Sequence, residues 1–583
     1  MIIALLCLFA VGATAVAAAA AAGGCLCLMV LGVLAVVVLV TARGVLRRYR
    51  QWRGKRSPLL AQSDGRAGMS MPRAIHDAGA VVVVGGDFAR SPRMQYHAVS
   101  LAQHFRWIGC VGLDFGNKVA ESLRNVDSIP PSVGEPKVVY ALQSAPVVPH
   151  CMRRNWILST AYRIGAFVIS FAGALTSELH RQRRSGPAGA NSQTACVTHV
   201  LVQSPPAAPF LHLVLAVAFF ENFFYRFLWQ HGLRGREWPP LVVVVDVHNY
   251  GFTLLAIDKR PAWIVSVYHL LERWAVRRCD AMLTVSHVMK DALVSSPEGI
   301  KQRRAASAAM TSLDPRCGFS LSPRSRVTVL HDAAPDFYAP CERSILFKDV
   351  LAAERELRAP PWYHMNGRDA AGGCQEARDA PPLVIVSSTS WTADDDYSLV
   401  VQALTIVQSA IVAAKDSPTP LRRVWLIVTG KGVTRSVFEQ QVEAARFDPQ
   451  LIHVSTAYLQ SFNNYARVLG AADVGLCVHR SSSGLDLPMK CVDMLGCGIP
   501  VIALDYPALA ELIHSESGWT FTDAASLAPI LVNLLQCRPV VMADSASAQN
   551  ELTTKRHYVR SHRQQWTSNW ERSAAPVLGC GKE

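Results

Sequence analysis

Lys490 and Asp493 stand one helical turn apart, directly after the polar run Ser481-Ser482-Ser483-Gly484-Leu485-Asp486. A cation beside hydroxyls and carboxylates suits a ligand that carries both phosphate and sugar hydroxyl groups: Lys490 can neutralise phosphate oxygens, and Asp493 can accept hydrogen bonds from a ribose. Three further cations follow glycine-rich turns. Lys431 lies in Thr429-Gly430-Lys431-Gly432, while Arg90 and Arg93 come just after Gly85-Gly86. For proton abstraction the candidates are Asp87 and His97 near the first turn, and Asp246 and His248 in Asp246-Val247-His248-Asn249-Tyr250. The plainer reading is that the serine run caps a helix and that the cations are solvated surface charges.

These residues need elements to place them. Ala472–Val478 is apolar enough for a buried parallel strand. Gly496, Gly498 and Pro500 end the helix that follows, and Val501-Ile502-Ala503 begins another strand. The segment therefore reads as strand, loop, helix, strand, one right-handed crossover of a parallel sheet. Ligands of such sheets bind beyond the carboxyl ends of the strands, which is where Ser483, Gly484 and Asp486 fall. The same rule places Gly86 and Asp87 after Val81–Val84, and His248 after Leu241–Val245.

Further strands are expected at Val138–Leu142, Val197–Gln203 and Met282–Val285, and a helix at Pro92–Phe105. A second series is expected at Val327–Leu330, Leu383–Ser387, Trp425–Thr429, Ile452–Ser455, Val474–Val478 and Val501–Leu504. Alternating strands and helices argue for parallel sheets. Asp394, Asp395 and Asp396 open a helix after Thr392, where acids complement the helix dipole, and metal binding there is the lesser reading. Arg181–Cys196, Ser295–Arg326 and Glu354–Asp379 are rich in Gly, Pro, Ser, Ala or charge and read as surface loop or disorder.

Gly86-Asp87-Phe88-Ala89-Arg90-Ser91-Pro92-Arg93-Met94-Gln95-Tyr96-His97, Ser387-Ser388-Thr389-Ser390-Trp391-Thr392 and Ser481–Lys490 together resemble the eukaryotic chitobiosyldiphosphodolichol β-mannosyltransferases. The likeness runs with gaps from about Val82 to Trp566-Thr567-Ser568-Asn569-Trp570. It implies a GT-B glycosyltransferase fold, two Rossmann-like domains facing a cleft. It also implies inverting transfer of mannose from GDP-mannose to GlcNAc2-PP-dolichol, forming the β-1,4-linked first mannose of the N-glycan precursor. Lys490, Asp493, Ser483, Gly484, Asp486, Lys431, Ser390 and Trp391 would hold the donor. Arg90, Arg93 and Gly86 would meet phosphate, and His248, Asp87, His97 or Asp246 would be the base. His248 occupies the kind of loop where related transferases contact the donor sugar. Many GT-B enzymes carry two glutamates across the last helix; here Asp486 and Asp493, with shorter side chains, stand at roughly those places. No metal is required if cations and backbone N–H groups stabilise the leaving diphosphate, although a divalent cation could stimulate. Two alternatives remain: a glycolipid transferase using another nucleotide sugar, and a catalytically silent subunit that scaffolds partner transferases of the dolichol pathway.

Length and composition fit this reading. A chain of 583 residues exceeds one core. The expected division is an anchor over 1–42, a basic linker over 43–79, an acceptor domain over 80–326, a nucleotide-sugar domain over 327–556, and a helix over 557–583 returning to the first domain. Met1–Ala42 carries no charged side chain, enough for one or two spans of about 20 residues, and a cleaved signal peptide is the rival reading. Arg43, Arg47, Arg48, Arg50, Arg53, Lys55 and Arg56 follow, which places that flank in the cytosol of an endoplasmic reticulum membrane enzyme. Those seven are half of the formal +14. The rest is too diffuse for a nucleic-acid groove.

Trp156–Leu175 and Phe210–Trp229 are long and apolar, but Arg163, Glu221 and Arg226 interrupt them, so interfacial or core helices fit better than spans. The aromatic-rich Glu221–Trp229 would either meet the bilayer or pack inward. Fifteen cysteines are scattered without a paired C-x-x-C frame and read as reduced, mostly buried thiols.

Overall fold

The computed structural model describes residues 78–126, 137–144, 149, 156–181, 183–185, 193–195, 197–230, 240–306, 313–322, 325–335, 337–343, 349–360, 362, 381–392, 395–415, 421–536 and 551–580. The expected anchor and nearly all of the basic linker lie outside the described residues. The chain divides into two compact units. The first is Met1–Val247 with Val267–Met282 and Ala575–Glu583; the second is His248–Ser266 with Leu283–Ala574.

Four consecutive valines, Val81–Val84, leave no polar face, so their strand must lie between two layers. Strand β1 (Gly79–Asp87) is accordingly buried except at Gly86. It pairs in parallel with β2 (Trp107–Asp114) on one side and β6 (Val197–Ser204) on the other. With β3 (Val138–Ser144), β7 (Val242–Val247), β8 (Ala281–Thr284) and β9 (Arg326–Val329), the sheet order is β3-β2-β1-β6-β7-β8-β9. The chain builds outward from β1 to β3 and then returns to the other side of β1. That reversal puts a switch point at the carboxyl ends of β1 and β6.

The second sheet repeats the logic within the second unit. Its strands are β10 (Leu383–Ser388), β11 (Val424–Thr429), β12 (Ile452–Ala457), β13 (Val474–Cys477), β14 (Val501–Leu504) and β15 (Gly518–Phe521). They run in the order β12-β11-β10-β13-β14-β15, all parallel. Successive residues of β10 feed opposite cores. Leu383 and Ile385 pack with Leu404, Val407, Leu527 and Leu531, whereas Val384 and Val386 pack with Leu469 and Met494. Each such fully buried side chain contributes about 1.5–3 kcal/mol. Here the switch point lies between β10 and β13.

Two parallel Rossmann-like sheets are the architecture expected of GT-B. Several details differ from the sequence reading. Strand β9 closes the first sheet rather than opening the second series. His248–Ser266 and Leu283–Arg326 also group with the second unit. Their ties explain why: Asn249 Nδ2 donates to Ser482 Oγ at 3.0 Å, Ser286 Oγ to the Leu485 carbonyl at 2.5 Å, and Glu511 accepts the N–H groups of His287 and Val288. The expected loop Ser295–Arg326 contains a helix, Pro297–Ala306, and a 3-10 turn, Pro315–Cys317, with Cys317 and Phe319 buried. Arg181–Cys196 includes a short antiparallel pair, β4 (Arg183–Ser185) with β5 (Gln193–Ala195). Among the described residues, the single helix expected over 557–583 is two helices, Glu551–Ser561 and Trp566–Val577. Strands β2 and β15 were not anticipated.

Among the described residues no helix is long and apolar enough to cross a membrane. Phe210 packs edge-on against Phe167 and Phe171, while Phe223 and Phe224, further along the same helix, are exposed. Six of the eight described cysteines are buried.

Candidate active site

Within the first unit, the turn after β1 is built by glycine. A Cβ on Gly85 would come within 2.7 Å of Pro206 and 2.9 Å of Phe210, whereas the space around Gly86 is open. Asp87 accepts the Ala89 N–H at 3.1 Å and so starts the 3-10 turn Phe88–Arg90. Its other oxygen takes Asn117 Nδ2 at 2.5 Å. Gln95 reaches back to the Phe88 and Ala89 carbonyls and accepts the Ala120 N–H. Arg90 extends outward with its side chain 77% exposed, 3.9 Å from Asp87.

Arg93 does not join it. Arg93 is buried, and its guanidinium makes a two-pronged ion pair with Asp246, Nε to Oδ2 at 2.8 Å and Nη2 to Oδ1 at 3.0 Å. His97 Nε2 lies 3.0 Å from the same carboxylate, and both side chains are 0% exposed. A carboxylate buried at the end of β7 is costly without a cation, and Arg93 supplies one. The expectation that Arg93 meets phosphate, and that Asp246 or His97 serves as base, is corrected by this enclosure. Asp87 in the first unit and the half-buried His248 in the second are the remaining base candidates.

Within the second unit, loops from the ends of β10, β11 and β13 meet at the switch point. Lys490 Nζ donates to both oxygens of Asp395, at 2.8 and 2.6 Å. Thr389 Oγ1 donates to Asp395 Oδ2 at 2.6 Å, and His479 Nδ1 lies 3.5 Å from Oδ1. Burial acts to raise the Asp395 carboxyl. His479, Lys490 and Thr389 outweigh it and hold the group below its ordinary range. Lys490 is thus a positioned cation already partnered by a carboxylate, which ties the helix Met489–Gly496 to the loop after β10.

The Gly430-Lys431-Gly432 loop has no alternative to its glycines. A Cβ on Gly430, at φ +143°, would lie 1.8 Å from the Thr389 carbonyl oxygen, and one on Gly432 2.1 Å from that of Ser390. Between them Lys431 is exposed, its Nζ 5.7 Å from the Tyr458 ring centre. Ser390 is exposed as well. Trp391 is not available to a donor as expected: its indole is 1% exposed and packs on Tyr397 and Phe438 at 5.1 and 5.3 Å.

Ser481, Ser483, Gly484 and Asp486 form a self-bonded turn rather than a helix cap. The Ser481 hydroxyl donates to Asp486 and accepts the Gly484 N–H, Ser483 Oγ reaches Asp486 at 3.4 Å, and Gly484 takes φ +74°. Ser482 instead meets Asn249 and Thr253. His479, 3.5 Å from Asp395 and 3.9 Å from Asp486, is a site residue the sequence reading missed. Its position immediately before Arg480 and the serine run was the available signal.

Asp493 is half-buried as a residue, with its carboxyl enclosed. Burial, added to by Asp332 and opposed by hydrogen bonding with Tyr338 and Tyr465, pushes it up to about 8. Between the ordinary carboxyl range and pH 8 the folded chain keeps a proton that the unfolded chain releases. Stability from this group is therefore fully present below the ordinary carboxyl pKa and falls by up to about 1.4 kcal/mol per pH unit as pH rises toward 8. Asp493→Asn is expected to remove that slope, read from denaturation midpoints at pH 5 and pH 8.

Asp395 is committed to Lys490, and Asp396 accepts the N–H and hydroxyl of Ser398 at the start of helix Ser398–Ala413; Asp394 lies outside the described residues. Among the described residues His287, His331 and Glu511 do cluster closely enough for one ion. Glu511 is already occupied, capping helix His287–Val294 and pairing with His331 at 2.9 Å.

The residues that form the switch point of the second sheet fall within 381–537, which match the family described as "Glycosyl transferases group 1". The chain is a glycosyltransferase. Along most of its length it is similar to curated chitobiosyldiphosphodolichol beta-mannosyltransferases, which bears out the resemblance read from its motifs. It is 28% identical to that of Mus musculus over 549 residues, 94% of each chain. To that of Homo sapiens it is 29% identical over 501 residues, 85% of this chain and 92% of that one. It is also 27% identical to "UDP-glycosyltransferase TURAN" of Arabidopsis thaliana over 529 residues, 86% of this chain and 97% of that one.

Proposed function

We propose that this chain transfers mannose from GDP-mannose to dolichol-diphosphate-linked chitobiose with inversion, forming the β-1,4-linked first mannose of the N-glycan precursor. The observation that carries the reading is similarity along 85–94% of the chain to enzymes named for that acceptor. The acceptor hydroxyl attacks the anomeric carbon from the face opposite the leaving diphosphate, so the site must take a proton and stabilise departing negative charge. Asp87 or His248 takes the proton. Within the second unit Lys490 and Lys431, with backbone N–H groups of the Gly430-Lys431-Gly432 turn, meet the phosphates. The chemistry requires no metal, and a divalent cation acts at most as a stimulant. The enzyme works at the endoplasmic reticulum membrane with both domains facing the cytosol, where it can join other transferases of the dolichol pathway.

A different nucleotide-sugar donor is the second reading, favoured by the relative named as a UDP-glycosyltransferase. Incubating the full-length protein in detergent with chitobiosyl diphosphate lipid and equal GDP-mannose and UDP-N-acetylglucosamine, each labelled, separates the two. Label from GDP-mannose in the lipid supports the proposal; label from the UDP sugar alone overturns it.

A further inference from the structure

Helix Ala262–Val276 shows the reverse of an ordinary surface helix. Its inward face is Val265, His269, Glu272, Ala275 and Val276, all buried. Its outward face carries Trp263, Val267, Leu270, Leu271 and Trp274, exposed by 69, 49, 62, 42 and 39% respectively. The spacing of four, three, one and three residues lines these five along one side of the helix. Scattered exposed apolar residues need no explanation, but a straight stripe with a tryptophan at each end does.

Cations predominate around the stripe. Lys259 and Arg260 precede the helix and are exposed; Arg277 follows it and is exposed, with Arg273 and Arg278 half-buried. The Arg278 guanidinium lies 3.8 Å over the Trp274 ring and donates to the Trp274 carbonyl. The one acid within the helix, Glu272, is buried, and Asp258 is the exposed acid at its approach. The helix is also held in place from beneath. Tyr268 Oη accepts the Ala207 N–H at 3.0 Å, and His212 stacks on Trp274 at 5.3 Å.

We infer that this face docks on an anionic lipid bilayer, lying in the plane of the headgroups with the apolar stripe turned into the acyl boundary. Aromatic residues at both ends of a narrow apolar face, with cations flanking it, match such an interface in both polarity and charge. The inference rests on the proposed lipid-linked acceptor, whose chain lies in a membrane, and adds the surface by which the catalytic part meets it. Sequence periodicity alone gives no hint of this, since an apolar stripe reads as the buried side of a helix.

The test uses the full-length chain reconstituted in phosphatidylcholine vesicles, with or without phosphatidylserine, that contain a phospholipid bearing a photoactivatable acyl chain. Adducts are mapped by proteolysis and mass spectrometry without donor or acceptor present, so catalysis does not enter the result. The expected result is lipid adducts on the segment Arg260–Arg273 in the anionic vesicles. In the double variant Trp263→Glu/Leu270→Glu they should fall about tenfold, with an unchanged thermal midpoint because both side chains face solvent. Failure to label this helix while other parts of the chain are labelled overturns the inference, as does equal labelling of the double variant. Equal adducts in neutral and anionic vesicles overturn the role given to the cations. Transfer to a short-tailed acceptor in detergent tests the enzymatic reading separately.

Discussion

Arg93→Ala is expected to destabilise the fold by about 3–5 kcal/mol, because it removes the two-pronged partner of the buried Asp246 carboxylate. A phosphate ligand would behave differently, losing turnover with the fold intact. The discriminating measurement is a denaturant titration of the variant beside Arg93→Met/Asp246→Asn, which removes both charges while keeping most of the volume. The double variant should recover most of the lost stability. If Arg93→Ala folds as firmly as the parent, the buried pair is not what holds the end of β7 in place, and the phosphate role returns.

Lys490→Ala should lower turnover by about two to three orders of magnitude, the scale on which a single preorganised charge stabilises a transition state. The reasoning goes beyond charge. Lys490 binds both oxygens of Asp395, and Asp395 in turn holds Thr389, so this lysine sets the helix Met489–Gly496 against the loop after β10. Pairing Lys490→Met with Asp395→Asn removes the ion pair without leaving a lone charge; it should restore the thermal midpoint and leave turnover low. Recovery of turnover in that double variant would make the pair purely structural.

Most strand positions were legible because buried parallel strands leave near-continuous apolar runs, as at Val81–Val84, Val242–Val245 and Val424–Thr429. Strand β2 escaped because Gly109 and Gly112 interrupt Trp107–Asp114, and β15 because Gly518–Phe521 is only four residues long. Helix Pro297–Ala306 was hidden by charge, its Lys301, Arg303 and Arg304 reading as loop.

The site was legible as a location more than as a set of roles. The motif around Gly86 drew attention to Arg93 and His97, but their partner Asp246 is 153 and 149 residues away, and no local pattern distinguishes a buried ion pair from an exposed ligand. Trp391 was misassigned for the same reason: its left-handed backbone, at φ +53°, turns the indole into the core. The glycines of the Gly430-Lys431-Gly432 turn gave the opposite case, a weak local signal that backbone contact with Thr389 and Ser390 makes obligatory.

The most direct test of the central claim is the linkage formed by the full-length protein from GDP-mannose and chitobiosyl diphosphate lipid, read by NMR of the released sugar and by digestion with a β-mannosidase. The account predicts a trisaccharide with one β-1,4-linked mannose that the enzyme removes. An α-linked product, or nucleotide-sugar binding with no trisaccharide at all, would contradict it.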